Sequence, residues 1–276
     1  MIVKALSVDY PVNWLCDLVD LARSSYYHQL QPLTDDSELM AAVEEMLAIK
    51  PFLGYRMMRE RLRRRGIDAG ERAIRRILRG MKRTRSTGRV VTTDSNHSHP
   101  RFPNRIKGLQ AKHPEHIWVA DITYLRYGRQ YLYLAIILDL YTRAVRGWQL
   151  EEFLTSLALT VPALKMALKR GKPAYFHSDQ GKQYAAKEHT KLLNDVIISM
   201  SDAGKPTQNA FVERFMRTLK EEHVYYSEYE SLADMRRQLK HFLEIEYNRE
   251  RPHSALGYMT PLEYEQEYYW RNRFSD

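Results

Sequence analysis

The second half of the chain alternates between apolar runs and polar turns in a pattern typical of strands. Residues 117–127 (IWVADITYLRY) are rich in β-branched and aromatic side chains and predict a first strand. Gly128 marks a turn, and the following run predicts a second strand over 130–142. A third strand is predicted at 144–150. Because the connections are of hairpin length, we expect these three strands to form a meander.

Helices and strands then alternate along the chain. An amphipathic helix is predicted over 156–169, ended by Gly171 and Pro173. Its apolar face consists of Leu157, Val161, Leu164 and Leu168. The elements predicted after it are a strand at 174–177, a helix at 187–194, a strand at 196–200, a polar loop at 201–208 and a helix at 209–222. The order βββαβαβα predicts an α/β fold with a mixed sheet.

Helical spacing dominates the first third of the chain, where three short helices are predicted. Their apolar faces comprise Leu39, Val43, Met46 and Leu47 in the first, Tyr55, Met58 and Leu62 in the second, and Ile74, Ile77, Leu78 and Met81 in the third. Asp35, Asp36 and Ser37 could cap the first helix, and Gly66 and Gly80 lie near the ends of the others. Residues 12–19, with Tyr26 and Tyr27, predict a short helical pair to which no separate function is assigned.

Positive charge is concentrated in the same three helices. The chain has a formal net charge of +9, and the stretch from Lys50 to Arg89 holds 15 basic residues against 3 acidic ones. Arginines on a compact three-helix unit predict a helix-turn-helix-like DNA-binding module. The alternative is a solvated basic surface without a specific target. The predicted DNA contacts in this module are Arg56, Arg59, Arg63, Arg72, Arg75, Arg76 and Arg79.

These patterns divide the chain into four predicted segments. They are an N-terminal helical segment (1–34), the basic module (35–85), a polar linker (86–113), and a catalytic domain with a C-terminal helical extension (114–270). Cys16 is the single cysteine, so no disulfide or structural zinc site is expected. The start lacks a signal-peptide pattern, and the most apolar run contains Asp139 and is too short for a membrane helix. We therefore expect a cytoplasmic protein without a membrane partner.

Three carboxylates occupy positions from which this fold could bring them together. Asp121 lies inside the first strand, Asp179 follows the strand at 174–177, and Glu213 lies in the last predicted helix. An ionised carboxylate inside an apolar strand costs free energy unless it is paired or holds a metal. Two Mg²⁺ ions on such carboxylates would activate a nucleophile and stabilise a leaving oxygen, with Asp121 bridging the ions. The structural alternatives are a buried acid, a turn cap and a surface glutamate, respectively.

Two further residues compete for roles at this site. Asp139 also lies in a predicted strand and is a rival for Asp121, although pairing with Arg143 or a backbone amide is the favoured interpretation. His177 could contact DNA or carry a proton, but a packed histidine at a strand end is favoured.

The last predicted helix has an uneven distribution of charge. Helical spacing places on one face Asn209, Glu213, Arg217 and Lys220. Three of these are predicted DNA contacts: Asn209, Arg217 and Lys220. A carboxylate with cations one and two turns away suits a site where metal and phosphate meet. Ordinary surface pairing along the helix is the alternative.

Four segments resemble bacterial insertion-sequence transposases, specifically the second-reading-frame protein of the type encoded by two overlapping frames. They are WVADITYL (118–125), HSDQGKQY (177–184), SMSDAGKPTQNAFVERFMRTLKEE (199–222) and YNRERPHSALGYMTPLEYE (247–265). The resemblance extends over essentially the whole chain, including the basic module. Taken together, the four motifs are highly specific for this family, whereas HSDQG alone would be modest evidence.

The resemblance implies an RNase H-like integrase catalytic core with a five-stranded mixed sheet. It further implies a triad formed by Asp121, Asp179 and Glu213, Mg²⁺ or Mn²⁺ as the cofactor, and the element's terminal inverted repeats as the substrate. Lys220 matches the basic residue that contacts the DNA end. The implied partners are double-stranded DNA, further copies of the chain on paired ends, and a first-frame protein as partner or fusion. The implied location is the bacterial cytoplasm, at the nucleoid.

One feature departs from the family pattern. Glu213 follows Asp179 by 34 positions, slightly fewer than in the family, and the shortening falls near 193–197. We expect the fold to tolerate it. The alternative to an active transposase is therefore a catalytically impaired DNA-binding regulator, because small displacements already slow catalysis. A third class, a nuclease acting on hybrids or junctions, is disfavoured by the basic module and the RPHSALGYMTPLEY motif.

Overall fold

A five-stranded mixed sheet forms the centre of the computed structural model, which describes residues 10–22, 37–81, 100–202 and 209–273 together with Val3, Leu6 and Ser7. The strands are β1 (Ile117–Tyr127), β2 (Gln130–Asp139), β3 (Val145–Glu151), β4 (Tyr175–Ser178) and β5 (Ile197–Met200). Their order is β3-β2-β1-β4-β5, with antiparallel pairing among the first three strands and parallel pairing of β4 with β1 and β5. This arrangement confirms the predicted RNase H-like class.

The described helices include those predicted from the sequence, in the predicted order, together with a short helix before the one predicted at 187–194 and two helices in the C-terminal extension. Before the sheet lie α1 (Val12–Leu18), α2 (Ser37–Ile49), α3 (Tyr55–Arg64) and α4 (Glu71–Gly80). Within and after it lie α5 (Val161–Leu168), α6 (Lys182–Ala185), α7 (Lys187–Thr190), α8 (Ala210–Glu222), α9 (Leu232–His241) and α10 (Pro261–Arg271). None of the helices in this described part of the chain combines the length and apolarity that a bilayer crossing requires.

Several predicted features lie outside the described residues. They are the cap residues Asp35 and Asp36, the tyrosines Tyr26 and Tyr27, the first part of the linker (86–99) and most of the polar loop (203–208). The last part of the linker, 100–113, runs along the catalytic domain. Ile106 and Leu109 pack against the core there, and the Arg105 amide donates to Ser199 Oγ at 2.8 Å.

The two faces of the sheet are covered by different helices, because side chains alternate along a strand. Ile117 and Val119 on β1 pack with α8 and the C-terminal helices. Trp118 and Ala120 pack with α5 on the opposite face. The odd-numbered positions of β1 therefore point toward α8.

The predicted apolar face of the helix at 156–169 needs one correction. Residues Ser156–Thr160 form a π-helical turn before α5, and Leu157 is 67% exposed. Leu159 is fully buried in its place. A π-helical turn holds more residues than an α-helical turn, so it rotates the positions of the buried side chains around the helix axis by a fraction of a turn.

The short connection before β5 is accommodated by one backbone conformation. Asp195 adopts a positive φ of 62°, which allows a tight turn between Leu193 and β5. The parallel register of β4 and β5 then runs without interruption from Tyr175 opposite Ile197 to Ser178 opposite Met200. The shortening near 193–197 therefore leaves the sheet intact.

The basic module docks on the C-terminal part of the chain. Helices α2, α3 and α4 enclose their own apolar cluster, which includes Val43, Met58 and Ile74. Lys50 forms an ion pair with Glu246. Arg64 bonds both carboxylate oxygens of Glu263 at 3.1 and 2.9 Å and the Tyr258 carbonyl at 2.9 Å. Some of the positive charge in the module thus holds the module to the core.

A buried ion cluster joins the sheet to α10. Arg146 on β3 is 3% exposed and bonds both oxygens of Glu265 at 2.8 and 2.9 Å. Its Nη2 atom also lies 2.8 Å from Glu115 and 3.5 Å from Asp139. One cation is therefore shared by three carboxylates from distant parts of the chain.

This cluster settles the role of Asp139. Its carboxylate accepts hydrogen bonds from the amides of Glu115, Tyr141 and Thr142 at 2.6, 2.9 and 2.8 Å. The predicted structural role and the backbone-amide pairing are confirmed. The predicted pairing of its carboxylate with Arg143 is wrong, because the side chain within ion-pair distance is Arg146.

Candidate active site

Asp121 and Asp179 lie on neighbouring parallel strands. The register pairs Ile117 with Tyr175 and Val119 with His177. Continued by two residues, it sets Asp121 beside Asp179, which directly follows β4. Adjacent strands are about 4.8 Å apart. Both carboxylates therefore come to the same edge of the sheet, on the face that α8 covers.

The start of α8 is fixed to β1 next to Asp121. Asn209, at the N-cap position of α8, is 6% exposed, and its Nδ2 atom donates to the Ala120 carbonyl at 3.2 Å. The predicted DNA contact is thus a buried side chain that bridges helix and strand. This bond places the first turn of α8, which carries Glu213, over the carboxylate edge.

The remaining residues of the predicted helix face differ in exposure. Glu213 and Arg217 are exposed, whereas Lys220 is half-buried. Burial lowers the pKa of Lys220, and the nearby Asp121 carboxylate opposes that shift. The structure thus brings Lys220 within electrostatic range of Asp121, two turns after Glu213.

Electrostatic repulsion is concentrated on Asp121. Burial in the first place, and Asp179 in the second, raise the pKa of Asp121 to about 8. Glu213 adds to the repulsion, while the Ile122 amide and Lys220 oppose it. Asp179 and Glu213 therefore both act on Asp121. In the described part of the chain, however, no three His, Cys, Asp or Glu side chains converge closely enough to hold a metal ion.

The loop after β4 has a tight local structure. Asp179 Oδ1 accepts a hydrogen bond from the Gly181 amide at 3.0 Å, as in a turn cap. His177 is fully buried, with Nδ1 2.8 Å from Ser199 Oγ and Nε2 3.4 Å from Ser201 Oγ. The favoured interpretation of a packed histidine is confirmed.

Tyr184, which no sequence pattern indicated as a site residue, lies near both aspartates. Its ring is 2% exposed, and its hydroxyl has no hydrogen-bond partner among the described residues. Burial, followed by the charges of Asp121 and Asp179, raises the pKa of Tyr184. Its place at the end of the HSDQGKQY motif was the available signal.

The arginines predicted to bind DNA differ in their surroundings. Arg63 bonds Glu60 of the same helix at 3.0 and 3.1 Å. Arg75 pairs with Glu71 at 2.6 Å, and its guanidinium carbon lies 3.9 Å above the Tyr55 ring. Arg56 lies at the junction with the catalytic domain, where it lines a cavity.

Comparisons with known proteins agree with this architecture. Two family models, each described as an integrase core domain, match residues 111–206 and 194–261. The uncharacterized 31 kDa protein of insertion element IS600 from Shigella sonnei is 31% identical, over 92% of this chain and 98% of that protein. Transposase InsF for insertion sequence IS3A from Escherichia coli is 29% identical, over 95% of this chain and 96% of that protein.

Among solved structures, the magnesium complex of the HTLV-2 integrase catalytic core domain in its trimeric form is similar. It shares 18% identity and a TM-score of 0.45, covering 56% of this chain and 99% of that one.

The sheet order, the matched core models and the relatives define a polynucleotidyl transferase with an integrase core. Within that class, the chain belongs to the family of insertion-sequence transposases of the IS3 type.

Proposed function

We propose that the chain catalyses metal-dependent cleavage and strand transfer of DNA at the terminal inverted repeats of an insertion sequence. The observation that carries this proposal is the parallel register of β1 and β4, which, continued two residues beyond Val119 and His177, sets Asp121 beside Asp179. The bond from Asn209 to Ala120 supports it, because that bond sets the helix with Glu213 at the same edge.

The three carboxylates suit divalent metal ions in their donor chemistry. Asp121, Asp179 and Glu213 offer hard oxygen ligands, which Mg²⁺ and Mn²⁺ prefer. The repulsion that raises the pKa of Asp121 is of the kind that a bound cation offsets. When bound, two such ions supply charge neutralisation at the attacking and leaving oxygens. We propose that the metal ions obtain their complete set of ligands in the complex with DNA.

The protein's own contribution is to position the DNA strand and balance its charge. Lys220, held near Asp121, suits contact with the phosphate of the DNA end. Arg217 is exposed on the same helix and suits a neighbouring phosphate. Exposed arginines of the module, such as Arg59 and Arg72, extend the basic surface toward flanking duplex. We further propose that several copies of the chain assemble on paired DNA ends.

Three variants test the carboxylate assignment. Asp121→Asn, Asp179→Asn and Glu213→Gln keep the side-chain shape but remove a charge. Each is expected to abolish cleavage of terminal-repeat DNA in Mg²⁺ or Mn²⁺ while DNA binding persists. The matched control is Asp195→Asn, an exposed aspartate in the turn before β5. Cleavage at the parent rate by all three site variants would overturn the assignment.

A second candidate is a DNA-binding regulator without catalysis. The observation that favours it is the lack, among the described residues, of three converged ligand side chains, together with the 34-position interval from Asp179 to Glu213. It predicts salt-dependent DNA binding by folded protein with no cleavage even in Mn²⁺. Cleavage of terminal-repeat DNA by the parent chain rules it out.

A further inference from the structure

A cavity of about 410 Å³ lies where the basic module, the catalytic sheet and the C-terminal segment meet. Its walls come from α3, from the ends of β1 and β2, from the first three turns of α8, and from 247–258, which contains the RPHSALGY motif. The cavity therefore exists only where all three parts of the chain come together. Arg56 is the one predicted DNA contact that lines it, and the carboxylate chemistry does not account for it.

Three guanidinium groups in the cavity lack a carboxylate partner among the described residues. They belong to Arg56, Arg143 and Arg214. A fourth, that of Arg251, is neutralised by two bonds to Glu222 at 2.7 and 2.5 Å. The acidic lining residue, Asp139, is already saturated by amides and Arg146. The cavity thus has an excess of positive charge.

The conformation that directs Arg143 toward the cavity is energetically unfavourable. It adopts a positive φ of 64°, which is unfavourable for a side chain of this size. Its Nη1 atom is buried with no hydrogen-bond partner in the described part of the chain. An unpaired buried donor costs free energy, and an anionic ligand oxygen would satisfy it.

The other walls are apolar and aromatic. Phe211 is 52% exposed at the rim, with the Arg143 guanidinium carbon 4.0 Å from its ring centre. Phe215 and Tyr247 are buried deeper, and their rings meet edge to face at 4.7 Å. Flat apolar walls next to guanidinium groups suit a heteroaromatic base joined to a phosphate.

The cavity lies next to the carboxylates. Val119 lines it and precedes Asp121 by two positions on the same face of β1, a step of about 7 Å. Phe211 also lines it, from the first turn of α8, but on nearly the opposite side of that helix from Glu213. Because Val119 is so near Asp121, a DNA strand with a phosphate at Asp121 would reach the cavity with a nearby nucleotide by passing the start of α8.

From these observations we propose that the cavity binds one unpaired nucleotide of the DNA strand adjacent to the reacting phosphate. The base stacks on Phe211, and Arg143 with Arg214 holds the phosphate. A cavity of this volume, enclosed by three parts of the chain, suits a single extruded nucleotide and not a base pair. The inference rests on the proposed function, since it assumes that DNA occupies the carboxylate edge.

The test compares three DNA probes binding to the full chain in EDTA, measured by fluorescence anisotropy. The probes are a blunt duplex, the same duplex with a short single-stranded thymidine overhang, and that overhang made of abasic nucleotides. The overhang with bases is expected to bind about tenfold more tightly than the blunt duplex, as a single stacked base can provide. The abasic overhang is expected to lose most of this advantage.

Variants locate the effect in the cavity. Phe211→Ser removes an exposed ring and Arg143→Asn keeps a residue type that tolerates positive φ, so both are expected to fold. Each should reduce the preference for the overhang to near unity. Arg170→Gln, an exposed arginine after α5 on the opposite face of the sheet, should preserve it.

Three results would overturn the proposal: equal binding of overhang and blunt duplex by the parent, equal binding of the abasic and base-containing overhangs, or an unchanged preference in both cavity variants. Asp121→Asn keeps the cavity intact and is expected to retain the preference. Because binding is measured without metal, the two tests are independent. Loss of the overhang preference would not contradict the cleavage activity proposed above. Absence of cleavage would not prevent interpretation of this binding measurement.

Discussion

The side-chain amide of Asn209 donates to the carbonyl of Ala120 at 3.2 Å, joining the first turn of α8 to the strand that carries Asp121. This bond spans 89 positions of sequence, and both partners are buried. It fixes the start of α8, the helix that carries Glu213, against β1, the strand that carries Asp121. Asn209 is therefore a positioning residue for the proposed catalytic carboxylates.

Replacement of Asn209 tests that role. Asn209→Ala removes the bond, and we expect cleavage of terminal-repeat DNA to slow by about tenfold to a hundredfold, because displacements near 1 Å are costly in catalysis. DNA affinity, measured by anisotropy, should change little, since this side chain is buried. Asn194→Ala, at an exposed asparagine, is the control. Loss of affinity with an unchanged cleavage rate would instead support the DNA contact predicted from sequence.

Arg146 is the single cation within ion-pair distance of three carboxylates in the described cluster. Arg146→Met leaves Glu115, Asp139 and Glu265 without this partner. Breaking a buried ion pair from one side costs about 3–5 kcal/mol, so urea unfolding should show a loss of that order. Arg170→Met, at an exposed position, should leave the free energy of unfolding nearly unchanged.

Glu115 in the same cluster predicts a pH dependence. Burial raises its pKa from 4.5 to about 7, with Arg146 opposing and Asp139 adding to the shift. The folded state therefore holds a proton on Glu115 that the unfolded state releases, so this residue lowers stability progressively as pH rises from about 4.5 to about 7.

Glu115→Gln should remove that contribution. We expect unfolding midpoints of variant and parent to agree near pH 4.5 and the variant to be more stable at pH 8. The measurement is a urea titration at a series of pH values. A constant difference between the two proteins across this window would contradict the assigned protonation.

Gly147 on β3 lies in close contact with α5. A Cβ atom there would meet the Ala163 carbonyl oxygen at 2.2 Å and the Ala167 amide nitrogen at 2.9 Å. Both are backbone atoms, so Gly147→Ala should cost about 1–3 kcal/mol as α5 is pushed away. Gly80→Ala has free space around the added carbon and should be neutral or slightly stabilising. Thermal unfolding of the two variants makes the comparison.

The three candidate carboxylates could be selected from the sequence largely because they lie in locally informative segments. Asp121 interrupts an apolar strand, Asp179 follows another, and Glu213 lies on a helix with regular cationic spacing. Each signal is contained within a few residues. The motifs that carry the family resemblance also surround these positions, and the strand register agrees with a shared edge for the two aspartates.

Other predictions were wrong or incomplete because the local sequence pattern does not determine helix phase or the choice of ion-pair partner. The π-helical turn at Ser156–Thr160 moved the apolar face from Leu157 to Leu159, because helix phase depends on hydrogen bonding and not on residue type alone. The partner of Asp139 proved to be Arg146, whereas the nearer sequence candidate, Arg143, faces the cavity.

The sequence by itself determined the order of strands and helices, the RNase H-like class and the three candidate carboxylates. The order of elements follows from periodicity and turn residues, which act over short stretches of chain, whereas the RNase H-like class was implied by the motifs that carry the family resemblance. Tertiary structure alone decided that Asn209 is a buried anchor, that Arg146 bonds Glu265 from 119 positions away, and that module, sheet and C-terminal segment enclose a basic cavity. Such contacts join residues remote in sequence, and packing of the whole chain selects them.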